Sequence, residues 1–480
     1  MTDSLKSQAV KGVVWSAVER FSVQGIQFVL SIIIARLVAP SEYGLIAMLG
    51  IFLAIAQTFI DSGFSNALIQ KKDRTEVDFS TVFYFNIVVS IFVYTLLFLA
   101  SPYIAVFYKE PQLEIITKWI GLGLVISGFS IVQRAKLTIS LNFKTQAQAS
   151  LIAVIISGTI GVVMAYLKFG VWALVVQALI NNALNTFFLW IFACWTPLLK
   201  FSWQSFDTLF SFGSKLLMGG VLHTVYLNLY SLVIGRWYSS IDVGYYNRAY
   251  SLVNFSSVNL VGVISRAMFP IFSEIQDEEE RLTVVFLKCL RLCCLFIFPL
   301  MIGISVLSDP LIRLLLTDKW LPAADLLSIL CLAYMWYPIM ILNWQFLSVK
   351  GRADLTLKAE IIKKIISLLL LVCSVPLGIK AICFSLVLYN FCDIFIILLF
   401  VRKVSRIGFC IEALNILPIF LISIVIGMCL VILKYYVHSP LLTLLGGIIG
   451  GGSVFLFLIF VARFPERKFI FKIFNQKKHE

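Results

Sequence analysis

The chain is a succession of apolar runs, most of them twenty residues or longer, separated by short polar joins. A bilayer core is crossed by about 20 apolar residues in a helix. Backbone groups in hydrocarbon must find their partners within their own segment, so such runs are read as helices. Charged residues make up 13% of the chain and hydrophobic residues 60%, against about 25% charged in ordinary soluble domains. A soluble monomer is excluded, and an all-α polytopic membrane protein is expected.

Spans are expected near 13–37, 44–68, 79–101, 116–139, 147–167, 171–193, 209–234, 244–270, 284–308, 324–349, 357–378, 380–402, 412–433 and 441–462, about fourteen transmembrane helices. Glycine and proline punctuate the joins, as at Ala39-Pro40-Ser41 and Ser439-Pro440. Met1–Lys11 is polar and is followed by an apolar stretch longer than a signal core, so the first span is expected to act as its own insertion signal. When alternate loops are assigned to opposite sides, one side collects 27 of the 39 basic residues. Basic loops favour the cytoplasmic side, which puts both termini in the cytoplasm. The net charge of +14 then reflects topology and contact with anionic lipid, and no nucleic-acid partner is expected. The ten cysteines lie mostly within apolar runs without zinc spacing. They read as small hydrophobes, with no disulfide scaffold and no metal. The joins leave no room for a soluble catalytic domain.

The first and seventh spans share a signature. Ser31-Ile32-Ile33-Ile34-Ala35-Arg36 matches Ser231-Leu232-Val233-Ile234-Gly235-Arg236, and at the same offset of 200 Glu42 meets Asp242, Gly44 meets Gly244, Ser65 meets Ser265 and Ala67 meets Ala267. A step of six spans, an even number, gives the copies the same orientation, the parallel-repeat plan found in transporters. Two six-helix lobes are expected, 1–205 and 206–405, followed by two additional helices and a basic cytoplasmic tail over 406–480. Gly446–Gly452 in the last span is expected to serve helix packing.

Charge within a span costs about 2.5–3.5 kcal/mol at mid-membrane, so polar groups there mark candidate sites. Ser16, Arg20, Gln24, Gln27 and Ser31 share one face of the first span with Glu19 beside it. The stripe suits a wet cavity; pairing of Glu19 and Arg20 with neighbouring helices is the alternative. The eighth span carries Arg248, Asn259 and Arg266. The two arginines are 18 residues apart, about five regular turns, which would give them one azimuth; snorkelling of each to its own headgroup region is the alternative. His223 in the seventh span either titrates or is simply hydrogen-bonded. Asp393 in the twelfth is the ion-coupling candidate, while Glu360, Lys363 and Lys364 in the eleventh read as interfacial. Arginine pairs with phosphate through its planar fork, so a cavity of positive character points to an anionic substrate.

The stretches Ala35-Arg36-Leu37-Val38-Ala39-Pro40-Ser41-Glu42-Tyr43-Gly44 and Asp61-Ser62-Gly63-Phe64-Ser65-Asn66-Ala67-Leu68-Ile69-Gln70 resemble the Wzx-type polysaccharide flippases. That group lies within the multidrug/oligosaccharidyl-lipid/polysaccharide exporter superfamily, which also holds lipid II flippases and multidrug exporters of the MATE type. The resemblance implies a transporter rather than an enzyme, working by alternating access in the bacterial inner membrane. Its implied substrate is an undecaprenyl-diphosphate-linked oligosaccharide destined for O-antigen, capsule or exopolysaccharide. It further implies contact with membrane lipids and with polymerase and chain-length machinery, no cofactor, and coupling to a Na+ or H+ gradient left open. A monomer is the default. Lipid II flippases depend on an arginine beside an acid in the first helix and on arginines in the eighth. Arg20 with Glu19, in reversed order, and Arg248 with Arg266 look like counterparts. The rival readings are a cation-coupled multidrug antiporter on the same fold and a membrane glycosyltransferase or polymerase.

Overall fold

The computed structural model describes residues 22–461 apart from 62, 72 and 406. Glu19 and Arg20 lie outside the described residues, as does the basic tail. No strand occurs among the described residues. Packing divides the chain into two compact units, one ending at Gly244 and one beginning at Tyr245.

The first unit holds α1 (Ser22–Leu37), α2 (Pro40–Asp61), α3 (Phe64–Gln70), α4 (Glu76–Tyr108), α5 (Gln112–Gly128), α6 (Ile131–Ile139), α7 (Phe143–Tyr166), α8 (Val171–Ala193) and α9 (Trp203–Trp237). Helix starts are written in the local sequence. Thr75 caps α4 in a reciprocal box with Asp78, Asn142 accepts from Thr145 N at the head of α7, and Ser202 accepts from Ser205 N at the head of α9. Asp78 is buried and ion-paired to Lys71 at 2.8 Å, so the capping acid is also neutralised. An aromatic cluster of Phe64, Phe79, Phe83 and Trp195 packs here with Leu209. The connector to α9 is pinned beside it: Leu198 N donates to Ser80 Oγ, and Ser202 N to Thr81 Oγ1. Helix α7 presents Ala149, Ala153, Ser157, Gly161 and Ala165, all buried and four residues apart. That ladder of small residues lets α8 approach closely; a Cβ on Gly161 would lie 3.0 Å from the Gln177 side chain.

The sequence repeat has a structural counterpart in this unit. The Val38 N–H donates to Ile34 O at 2.8 Å, and the Tyr238 N–H to Ile234 O at the same distance. Glu42 accepts from Ala39 N, and Asp242 from Ser239 N, so each copy caps its second helix with an acid at the matching position. The matching glycines meet. A Cβ on Gly44 would fall 1.7 Å from Ser240 O, and one on Gly244 would fall 2.1 Å from Pro40 O. Backbone touches backbone there, and no side chain other than hydrogen can be accommodated.

The second unit takes in most of α10 (Ser240–Val253), a π turn (Asn254–Val258), α11 (Asn259–Glu274), α12 (Glu279–Val306), α13 (Ser308–Leu316), α14 (Pro322–Tyr334), α15 (Tyr337–Val349), α16 (Ala353–Ser374), α17 (Ile379–Val401), α18 (Phe409–Tyr436) and α19 (Pro440–Val461). Helix α12 is its centre, with buried positions along its length and α14, α15 and α18 against it. The glycine-rich run of α19 packs as expected: Gly447 lies against Leu307, and Gly451 against Leu430 and Ile426.

Eleven described helices are long and apolar enough to cross a membrane, twelve if the bent pair α5–α6 counts as one span. The chain is thus a multi-pass membrane protein. Several expected spans are less regular than the apolar runs suggest. The 116–139 span bends by 41° between α5 and α6. The 324–349 span is interrupted at Met335–Trp336, and the 244–270 span carries the π turn. Helix α1 is a shorter apolar helix as described. Helix α16 lies at the expected 357–378 span but carries Asp354, Lys358, Glu360, Lys363 and Lys364.

Candidate functional site

In the first unit, the α1 stripe has Gln24 and Ser31 half-buried and Gln27 exposed. Ser31 Oγ turns back to Phe28 O at 2.7 Å, a local bond that lets a hydroxyl sit in a helix. His223 is exposed on α9. Beside it Thr224 Oγ1 is 3.1 Å from Thr58 Oγ1 of α2, and Asn228 Nδ2 donates to Thr224 O. A polar seam therefore joins α2 and α9. Asp61, at the end of α2, accepts from Gln57, whose own amide oxygen accepts from Ser127.

In the second unit, Arg248 and Arg266 do not share an azimuth. The π turn lies between them and inserts an extra residue into the α register, a phase change of about 100°. Arg248 is 5% exposed, and its guanidinium stands 5.6 Å from the centroid of the fully buried Trp320 ring. Tyr245 packs on the same ring from one turn earlier. Flat guanidinium on an indole face is a cation–π arrangement. Arg266 is exposed, with Nε donating to Gly262 O at 2.9 Å. Asn259 is half-buried directly after the π turn. Of the pair expected together, Arg248 is buried and Arg266 exposed.

Asp393 is 4% exposed and lies 3.0 Å from Lys363 Nζ. Lys363 is 5% exposed and also holds Glu360 at 2.7 Å. The sequence placed Lys363 near an interface without a partner for it; the fold buries it between two carboxylates. Residues Ala359, Lys363, Ser367, Leu371 and Ser374 form the buried face of α16, and Lys363 is drawn inward by the carboxylate on α17. One turn from Asp393, Asn390 donates to Ala333 O at 2.8 Å. The expected ion-coupling acid thus already has an internal ammonium as its counter-ion. Sequence reasoning also missed Glu412, Asn343 and Gln345, which are all buried. Gln345 Nε2 donates to the backbone oxygen of Ser265 at 2.9 Å. For Asn343 and Gln345 the available signal was a polar residue within an apolar run.

Two cavities lie in the second unit. One, of about 680 Å³, is walled by Trp336, Phe391, Phe420 and neighbouring aliphatic residues. The other, of about 390 Å³, lies against Leu307, Leu430 and Gly447. None of the candidate residues lines either. Such walls suit hydrocarbon and offer nothing to a phosphate. No cluster of three metal-ligating side chains occurs among the described residues.

Residues 33–325 match the family described as polysaccharide biosynthesis protein. The chain belongs to that family. It is 28% identical to the lipopolysaccharide biosynthesis protein WzxC of Escherichia coli (strain K12), over 75% of this chain and 74% of that one. It is 26% identical to the teichuronic acid biosynthesis protein TuaB of Bacillus subtilis (strain 168), over 73% of each. In fold it is similar to the lipid II flippase MurJ in an inward closed conformation, with a TM-score of 0.77 at 15% identity, covering 95% of this chain and all of the other. The protein is accordingly a multi-pass membrane member of the polysaccharide biosynthesis family, in line with the resemblance read from Ala35–Gly44 and Asp61–Gln70.

Proposed function

We propose that the protein carries an undecaprenyl-diphosphate-linked oligosaccharide from the cytoplasmic to the periplasmic leaflet of the bacterial inner membrane, by alternating access of two repeat-related lobes, 1–205 and 206–405. Membership of the polysaccharide biosynthesis family carries this reading, supported by cationic residues held in apolar spans. Arg20 and Arg266 are the candidates for the pyrophosphate, and Glu19, Gln24, Gln27, Asn259 and His223 those for the sugar. The transport step spares the headgroup the cost of entering hydrocarbon. Both termini are cytoplasmic, as the distribution of basic residues requires. Polymerase and chain-length proteins receive the product, and the carrier is a monomer.

The test follows lipid-linked oligosaccharide in cells depleted of the protein, with sidedness scored by an impermeant probe. Accumulation on the cytoplasmic face is expected. Normal outward appearance with no second flippase present rejects the reading and favours the multidrug antiporter, which drug-resistance profiling of the same cells then examines. Arg20→Ala and Arg266→Ala are each expected to abolish export while leaving the protein in the membrane; normal export in both removes these residues from the site.

A further inference from the structure

Glu412 stands in the first turn of α18, outside the repeated helices, and is 2% exposed. Its carboxyl has one side-chain partner among the described residues. Asn343 Nδ2, from α15, donates to Oε2 at 3.1 Å while also donating to Ile339 O of its own helix at 3.0 Å. Among the described residues Oε1 has no hydrogen-bond partner, and neither does Asn343 Oδ1, and both atoms are sealed from solvent. Two buried acceptors therefore lack a donor, whereas buried polar atoms are nearly always satisfied.

Among the described residues, no ion pair balances the group. From α12, the titratable side chain facing it is Cys294, 0% exposed. Lys288 and Arg291 stand further along α12. Helix α15 offers Asn343, and Tyr337 is its one titratable side chain; α19 carries no ionisable side chain over Pro440–Val461. An isolated carboxylate in such a place, held by one shared amide, is strongly disfavoured, as any buried unpaired ion is. A proton removes the charge and supplies one missing donor.

We propose that Glu412 is a proton-binding site. The carboxyl holds a proton while α18 lies against α12 and α15, and releases it to water when that seam is wetted. Docking of α18 is then linked to proton concentration, whatever cargo the protein carries. Its ligand class differs from that of the Asp393 position, where Lys363 already supplies the positive charge.

The test uses the full-length protein in lipid bilayers and infrared spectroscopy. The carbonyl-stretch band of a protonated carboxyl is expected in the wild type at neutral pH, lost on alkaline titration, and absent from Glu412→Gln, which keeps the shape and the Asn343 contact. The wild-type thermal midpoint is expected to fall as pH rises from about 5 to about 8, because the folded state holds a proton that the unfolded state has given up, and this fall is expected to vanish in Glu412→Gln. If the variant is not recovered, the wild-type band and its titration decide the question. A wild type without the band at neutral pH overturns the proposal. So does an identical band in both proteins, or a stabilisation by Na+ that Glu412→Gln abolishes, which would make the site one for a metal cation.

Discussion

At the scale of single residues, the energetic weight falls on charges that the fold has taken out of water. Lys363 holds two carboxylates, and its removal strands Asp393 inside the second unit. Breaking a buried pair from one side costs about 3–5 kcal/mol, whereas replacing both partners by apolar groups is close to neutral. Lys363→Met is therefore expected to lower the thermal midpoint in detergent sharply, and the double variant Lys363→Met/Asp393→Leu to recover most of it. A double variant as unstable as the single one would show that the loss lies in shape rather than charge. Trp320 is fully buried beneath Arg248, and Trp320→Ala is expected to cost about 3–5 kcal/mol in the same assay. The sequence made Asp393 and the arginines visible, because charge in an apolar run stands out. It could not reveal their partners. Lys363 and Asp393 are thirty positions apart, and only the packing of α16 on α17 decides that they pair. Glu412 was overlooked because it stands at the border of its run, where an acid looks interfacial.

At the scale of elements, the apolar runs and their glycine and proline joins were legible, since length and hydropathy alone specify a membrane helix. Irregularities within a run were not. The π turn at Asn254–Val258 leaves hydropathy unchanged, yet it separates Arg248 from Arg266 on the helix surface. Deleting Ser256 is expected to restore the α register and rotate everything beyond it by about 100°. A cysteine placed at position 266 should then lose reactivity toward a soluble thiol reagent, and export should fail; unchanged reactivity would mean that the turn does not set the orientation of that face. The α7 ladder carries a parallel expectation. Gly161→Leu should loosen α7 from α8, seen as a lower melting temperature of the purified protein.

At the scale of the whole molecule, the repeat was readable from an offset of 200 because the matching residues have structural duties. The paired acids cap helices, and the paired glycines meet. The number of crossings is less readable, because α16 mixes five charges with an apolar second half. Single cysteines at Gly351 and Gly378 bracket that helix. Labelling from opposite sides of the membrane is expected; labelling of both from one side would mean that α16 does not cross. The meeting of Gly44 and Gly244 also bears on how the protein is made. Two hundred residues separate them, and ribosomes add about 5–20 residues per second. The head of α2 therefore waits in the bilayer for some 10–40 s, roughly, before its mate emerges. During that interval its backbone, with no side chain to shield it, lacks the partner surface it meets in the finished fold.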